Sequence, residues 1–150
     1  MNSWVDDIVA FKKMLAEDGF RYKAPALISG VSGEELFAKH AVKNGFNVYG
    51  FNQDELLVEV IDGYVVNKKM RFPVQVKSLK ARNAHFISYE KINPNVVYVF
   101  VRTDIARFCM MYGRSLKRRE HFYKDGGGIY SESKHILQYE DNWDIFRKKP

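Results

Sequence analysis

Residues 96–101, VVYVFV, are six apolar residues in a row. A half-solvated strand alternates apolar and polar side chains, so an unbroken run of this length belongs to a central, buried strand. Such a strand needs neighbours on both sides, and the preceding stretch supplies them. Phe51 to Lys80, FNQDELLVEVIDGYVVNKKMRFPVQVKSLK, reads as two further strands joined by a turn. Leu56, Val58 and Val60 share one parity, and Leu57, Glu59 and Ile61 the other. Val74 and Val76 mark the second strand. Asp62-Gly63 or Asn67-Lys68-Lys69 hosts the turn, which leaves the hairpin register open. Pro73 predicts an edge position or a strand start, because proline donates no ladder hydrogen bond. Phe46 to Tyr49 alternates and predicts a short strand.

Helices precede the strands. In residues 5–19 the apolar side chains of Ile8, Phe11, Met14 and Leu15 recur at helical spacing, with Gly19 as the stop. Ser32 to Asn44 reads as a second helix, with Ser32 as N-cap, Glu35 closing a capping box and Gly45 as the left-handed stop. After the central strand, Ile105 to Tyr112 reads as a strand or a short helix with Cys109 buried. Tyr139 and Trp143 to Phe146 close the domain. The order predicts one α/β domain over residues 1–150, a mixed sheet with helices covering one face. At 150 residues a chain can bury about 70% of its extended surface and hold a real core without staples.

Composition removes several function classes. The single cysteine rules out an internal disulfide and zinc sites of four cysteines or two cysteines with two histidines, and a reducing, cytoplasmic setting follows. None of the four histidines forms a close ligand pair. The apolar runs are far too short to span a bilayer, so no membrane partner is expected. The charge is uneven. Residues 1–75 hold nine Lys/Arg against ten Asp/Glu, a net of −1, while residues 76–150 hold fifteen against eight, a net of +7. A basic half of this kind suits a polyanion. Lys80, Arg82, Arg114, Lys117, Arg118 and Arg119 are its candidate phosphate contacts, giving affinity and salt dependence more than sequence choice.

The chemistry concentrates in the hairpin. Strand alternation puts Gln75 and Lys77 on one face and Val74 and Val76 on the other. The first strand carries Asp54, Glu55, Glu59 and Asp62. Glu55 and Glu59 read as surface residues and Asp62 mainly as a turn former. Asp54 beside Gln75 would offer a carboxylate and an amide oxygen, and the Val76 carbonyl a third oxygen, the donor set a hard cation such as Mg²⁺ prefers. Glu34 or Glu35, in the first turn of the second helix, would add a carboxylate. Glu34 shares a side with Ala38 and Ala41, and Glu35 suits the capping role. Lys77 would orient a water or hold a phosphate.

These residues, Glu34 or Glu35 in SGEELFAKHAVKNGF, Asp54 in FNQDELLVEV and Gln75-x-Lys77 in FPVQVKS, resemble the motif of the PD-(D/E)xK nuclease superfamily, which includes restriction endonucleases and Holliday-junction resolvases. The match in order and spacing runs from Gly33 to Ser78, and Asn142-Trp143 is loosely similar to a closing element of resolvase-like relatives. The resemblance implies a restriction-endonuclease-like core and a metal-dependent endonuclease acting on DNA, with RNA as the alternative, Mg²⁺ or Mn²⁺ as cofactor and a homodimer for double-strand cuts. It implies catalytic roles for Glu34 or Glu35, Asp54, Gln75 and Lys77, with Asp54, Gln75, the Val76 carbonyl and Glu34 on the metal. Gln75 stands where an acid is usual, which removes one negative charge from the metal site, and Asp62 is a rival for the Asp54 role. Structure-selective cleavage fits better than readout of a long site, since no helix-turn-helix or zinc finger is present. Two other classes remain: a nuclease-fold module that binds nucleic acid without cutting, and a protein-interaction domain.

Overall fold

A computed structural model of the chain describes residues 31–51, 61–79, 84–86, 91–117, 128–130 and 133–148. The expected helix over residues 5–19 lies outside them. Helix α1 spans Val31–Lys43. The strands are β1 (Asn47–Tyr49), β2 (Gly63–Asn67), β3 (Met70–Leu79), β4 (Ala84–Phe86), β5 (Val97–Arg102), β6 (Arg107–Tyr112) and β7 (Gly128–Tyr130). Short helices α2 (Gly113–Lys117) and α3 (Lys134–Leu137) follow β6 and β7, and a 3₁₀ helix covers Trp143–Phe146.

Five strands form one mixed sheet in the order β1-β2-β3-β5-β6, and β4 and β7 form a separate pair. Only β3 and β5 run parallel, from Val74 beside Val97 to Leu79 beside Arg102. The VVYVFV run supplies β5 and is buried throughout. It lies between β3 and β6, as its lack of alternation requires.

The hairpin turns at Lys68-Lys69, between the paired Asn67 and Met70, with Lys68 in the left-handed region at φ 58°. The strand opposite β3 therefore begins at Gly63, after the acidic stretch rather than through it. Asp62 is not a turn residue but stands at the mouth of β2. Glycine is required at 63 because a Cβ there would come within 2.7 Å of the Phe51 ring and of the Tyr49 carbonyl.

Pro73 also departs from expectation. It sits inside β3, the middle strand of the five, paired with Tyr64 of β2. Backbone groups alternate edges along a strand. The Val74 carbonyl accepts from Asp62 on the β2 side, so the nitrogen of Pro73 points toward β5. The β5 ladder starts only at Val74, and the missing N–H costs no hydrogen bond.

Both sheet faces are covered. On one, Phe72, Val74, Val97, Val99, Val101, Phe108 and Met110 pack with Phe37 and Ala41 of α1 and with Trp143 and Phe146 of the 3₁₀ helix. Phe37 stacks on Trp143 at 5.6 Å between centroids with the rings 8° from parallel. On the other, Tyr64, Tyr98, Phe100, Cys109 and Met111 pack with Ile92, Leu116 and Ile136. The expectation of helices on one face only is thus corrected, because the short α2 and α3 close the second face with one buried aliphatic side chain each. Residues 139–142 run along the outer edge of β6: the Met110 N–H donates to the Tyr139 carbonyl at 3.1 Å, the Asp141 N–H to the Phe108 carbonyl at 2.8 Å and the Asn142 amide to the Met110 carbonyl at 3.0 Å.

Helix α1 begins at Val31, so it starts before the expected cap position at Ser32. Gly45 ends the helix with φ 91°, as the Asn-Gly stop predicts.

Candidate active site

The site forms where β2 starts and β3 has already run on. β2 pairs with β3 only as far as Val74, so beyond it the β2-facing edge of β3 needs another partner. Asp62 provides it. Its N–H donates to the Val74 carbonyl at 2.8 Å, and its Oδ2 accepts the Val76 N–H at 2.7 Å. The carboxylate acts as one more rung of the ladder. Since a residue's N–H and C=O leave a strand by the same edge, the Val76 carbonyl opens onto the same side as Asp62.

Glu34 and Lys77 come to this edge from different directions, and Gln75 lies near it by register. Glu34 comes from the first turn of α1 and is almost wholly buried, 3% exposed. Its side chain is hydrogen-bonded to that of Asp62. Lys77 comes from β3, beside Phe100 on the same sheet face, and its charge acts on Asp62. Gln75 shares the Lys77 face, beside Tyr98. Glu35, one position along α1, is turned to solvent and pairs with Lys39 at 3.3 Å. Asp54, Lys80, Arg82, Arg118 and Arg119 lie outside the described residues. Arg114 and Lys117 are on α2, about 10 Å along the strands from the Lys77 level if each strand residue advances ~3.3 Å. The Arg114 guanidinium lies 4.1 Å over the Tyr112 ring.

Electrostatics set this edge apart. Burial raises the Asp62 carboxyl to about 6, against the opposing pull of the Val76 N–H, the Lys77 charge and the Glu34 hydrogen bond. The Glu34 hydrogen bond thus favours the charged form of Asp62 while burial disfavours it. Burial lowers the Lys77 amine, and Asp62 partly offsets it. Cys109 is the opposite case: burial pushes its thiol up to about 12, which removes it as a nucleophile at neutral pH.

A stability prediction follows. Asp62 binds its proton more tightly folded than unfolded, so its stabilising contribution is complete below pH 4 and is lost as pH rises through about 6. The full shift corresponds to ~3 kcal/mol, trimmed to about 1–2 kcal/mol by the partial exposure of the side chain. Urea unfolding of metal-free protein at pH 5.0 and pH 7.5 should show about half of this difference, because pH 5.0 already lies above the unfolded value, and Asp62→Asn should remove it. An identical pH slope in wild type and variant refutes it.

The oxygen donors here fit a hard divalent cation: two adjoining carboxylates, the Val76 carbonyl and the Gln75 amide. Among the described residues no three His, Cys, Asp or Glu side chains gather, so backbone and amide oxygens would have to complete the set. The topology is now complete: a mixed sheet with one parallel central pair and an acidic pair at its split edge. The fold is similar to that of a bacterial homing endonuclease, I-Ssp6803I. The two match with a TM-score of 0.57 over 79% of this chain and 90% of I-Ssp6803I, at 15% sequence identity. Identity that low carries the likeness to I-Ssp6803I at the level of fold alone. Comparison with protein-family profiles and with curated proteins finds no match. Among the described residues, no helix is long and apolar enough to cross a membrane.

The structure gives Asp62 a place at this edge in place of the turn its sequence suggests, while Asp54, its rival for the metal carboxylate, lies outside the described residues. An Asp-Gly pair reads as a turn, and only the continuation of β3 beyond the first residue of β2 makes that carboxylate a ladder partner. Pro73 signals only where the parallel ladder with β5 begins; the register that brings Asp62 to Val76 is set by the turn at Lys68-Lys69.

Proposed function

We propose that this chain is a divalent-metal-dependent endonuclease that hydrolyses DNA phosphodiesters at the split between β2 and β3. The observation that carries this reading is the contact of Glu34 with Asp62 beside the Val76 edge and Lys77. A fold like that of a homing endonuclease supports it, and points to DNA as the substrate. The basic second half of the chain suits the same partner.

Glu34, Asp62, the Gln75 amide and the Val76 carbonyl would hold Mg²⁺ or Mn²⁺. When bound, the cation supplies charge stabilisation at the phosphoryl oxygens and a more acidic water. Asp62, raised to about 6 by burial, would have to be deprotonated to serve as a ligand. Lys77, whose amine burial lowers from its ordinary value, orients a water by hydrogen bond or holds a phosphate oxygen beside the cation. The neutral Gln75 leaves the site one charge short, so metal binding is weak and substrate phosphate supplies part of the missing charge.

The test is a panel of single-stranded, duplex, flap and four-way DNA with matched RNA, incubated with Mg²⁺, Mn²⁺ or EDTA. Metal-dependent nicking of DNA supports the reading, and a preference for flap or four-way DNA supports structure selectivity. Binding with no cleavage under either metal favours a module that has lost catalysis. No affinity for any nucleic acid at low salt overturns both and leaves a protein-interaction domain.

A further inference from the structure

Glu34 reaches Asp62 only because the first turn of α1 lies unusually close to β3. Gly33 makes that approach. A Cβ built at Gly33 would overlap the Ser78 Oγ, lie 3.1 Å from the Ser78 Cβ and 3.6 Å from the Val76 Cγ1. Position 33 therefore touches the part of β3, Val76 to Ser78, whose edge carries Asp62. Its chain neighbour is the buried carboxylate itself. Helix propensity argues against glycine here, since alanine in a helix is favoured by about 1 kcal/mol. The φ of Gly33 is not in the left-handed region, so its backbone gives no reason for it. The remaining use of a bare Cα is the approach.

We propose that Gly33 and Ser78 form a positioning contact that sets the separation of the Glu34 and Asp62 carboxyls and so tunes the site's hold on a divalent cation. Gly33 touches no reacting atom and acts through Glu34. A side chain at 33 lifts the first turn of α1 away from β3 and withdraws Glu34 from Asp62. Trimming Ser78 to glycine makes room for that side chain and returns the helix. The cation role rests on the nuclease reading above; the spacing role does not.

The experiment uses Gly33→Ala, Gly33→Val, Ser78→Gly and the Gly33→Ala/Ser78→Gly double variant of the full chain. Mn²⁺ affinity is read by calorimetry, plasmid nicking by gel and thermal stability by calorimetric scanning. A misplacement of up to ~1 Å predicts about tenfold weaker nicking for Gly33→Ala and about hundredfold for Gly33→Val. Mn²⁺ affinity falls in the same order. Gly33→Ala keeps or gains thermal stability while losing function, a split that a merely structural role would not give. Ser78→Gly alone stays near wild type, and the double variant recovers most of the nicking lost in Gly33→Ala. If Gly33→Val nicks and binds Mn²⁺ like wild type, or Ser78→Gly fails to restore Gly33→Ala, the inference is overturned. If wild type itself neither binds Mn²⁺ nor nicks, the nuclease reading fails separately. A crystal structure of Gly33→Val then decides the spacing: a widened Glu34–Asp62 separation upholds it and an unchanged one refutes it.

Discussion

Asp62→Asn is expected to abolish cleavage, by on the order of 10³-fold, while Asp54→Asn stays within about threefold of wild type. Asparagine keeps the size of Asp62 and an oxygen for the Val76 N–H, so the rung between β2 and β3 survives. What goes is the negative charge that the Val76 N–H, Lys77 and Glu34 stabilise. The variant should fold normally and, at pH 7.5 without metal, be at least as stable as wild type, because a carboxylate that burial disfavours has become neutral. Loss of activity with retained stability is the usual mark of a functional group held at a structural cost. Plasmid nicking and urea unfolding on the two variants check both halves. The reverse pattern, an inactive Asp54→Asn beside an active Asp62→Asn, would assign the metal carboxylate to Asp54.

Lys77→Met should lower the rate about 10²- to 10³-fold with Mn²⁺ affinity largely kept. Methionine preserves the apolar stem that lies level with Phe100 and removes only the amine. Folding should not suffer, since burial already disfavours the charged amine. The pH dependence of Mn²⁺ binding carries a second signature. Lys77 lowers the Asp62 carboxyl, so its removal lets Asp62 rise above about 6. The pH at which Mn²⁺ binding reaches half its plateau should therefore move upward. A downward shift or none would show that the two charges do not interact.

Local patterns carried much of the fold. The helical spacing of Leu36, Phe37 and Ala41 and the stop at Gly45 placed α1, and the unbroken apolar run placed β5. They also placed Gln75 and Lys77 on one face, because strand alternation is a local rule. Strand pairing is not local. Which residues oppose β3 depended on Lys68 adopting a left-handed backbone, a conformation that asparagine or glycine would have advertised and lysine does not. One consequence was that the acid nearest Val76 could not be read from spacing. Another was the cover on the second face, where single side chains from α2 and α3, Leu116 and Ile136, close a surface that no amphipathic run announces.

The segment along β6 also bears on self-association. Tyr139 to Asn142 already occupy the hydrogen-bonding groups that another chain would need in order to add a strand there. A five-stranded sheet has two rims, and the other is the three-residue β1. Three residues offer too few rungs to hold two proteins together by strand addition alone. Among the described residues, then, neither rim of the five-stranded sheet offers a long free edge, and a second copy meeting this sheet there would do so through side chains.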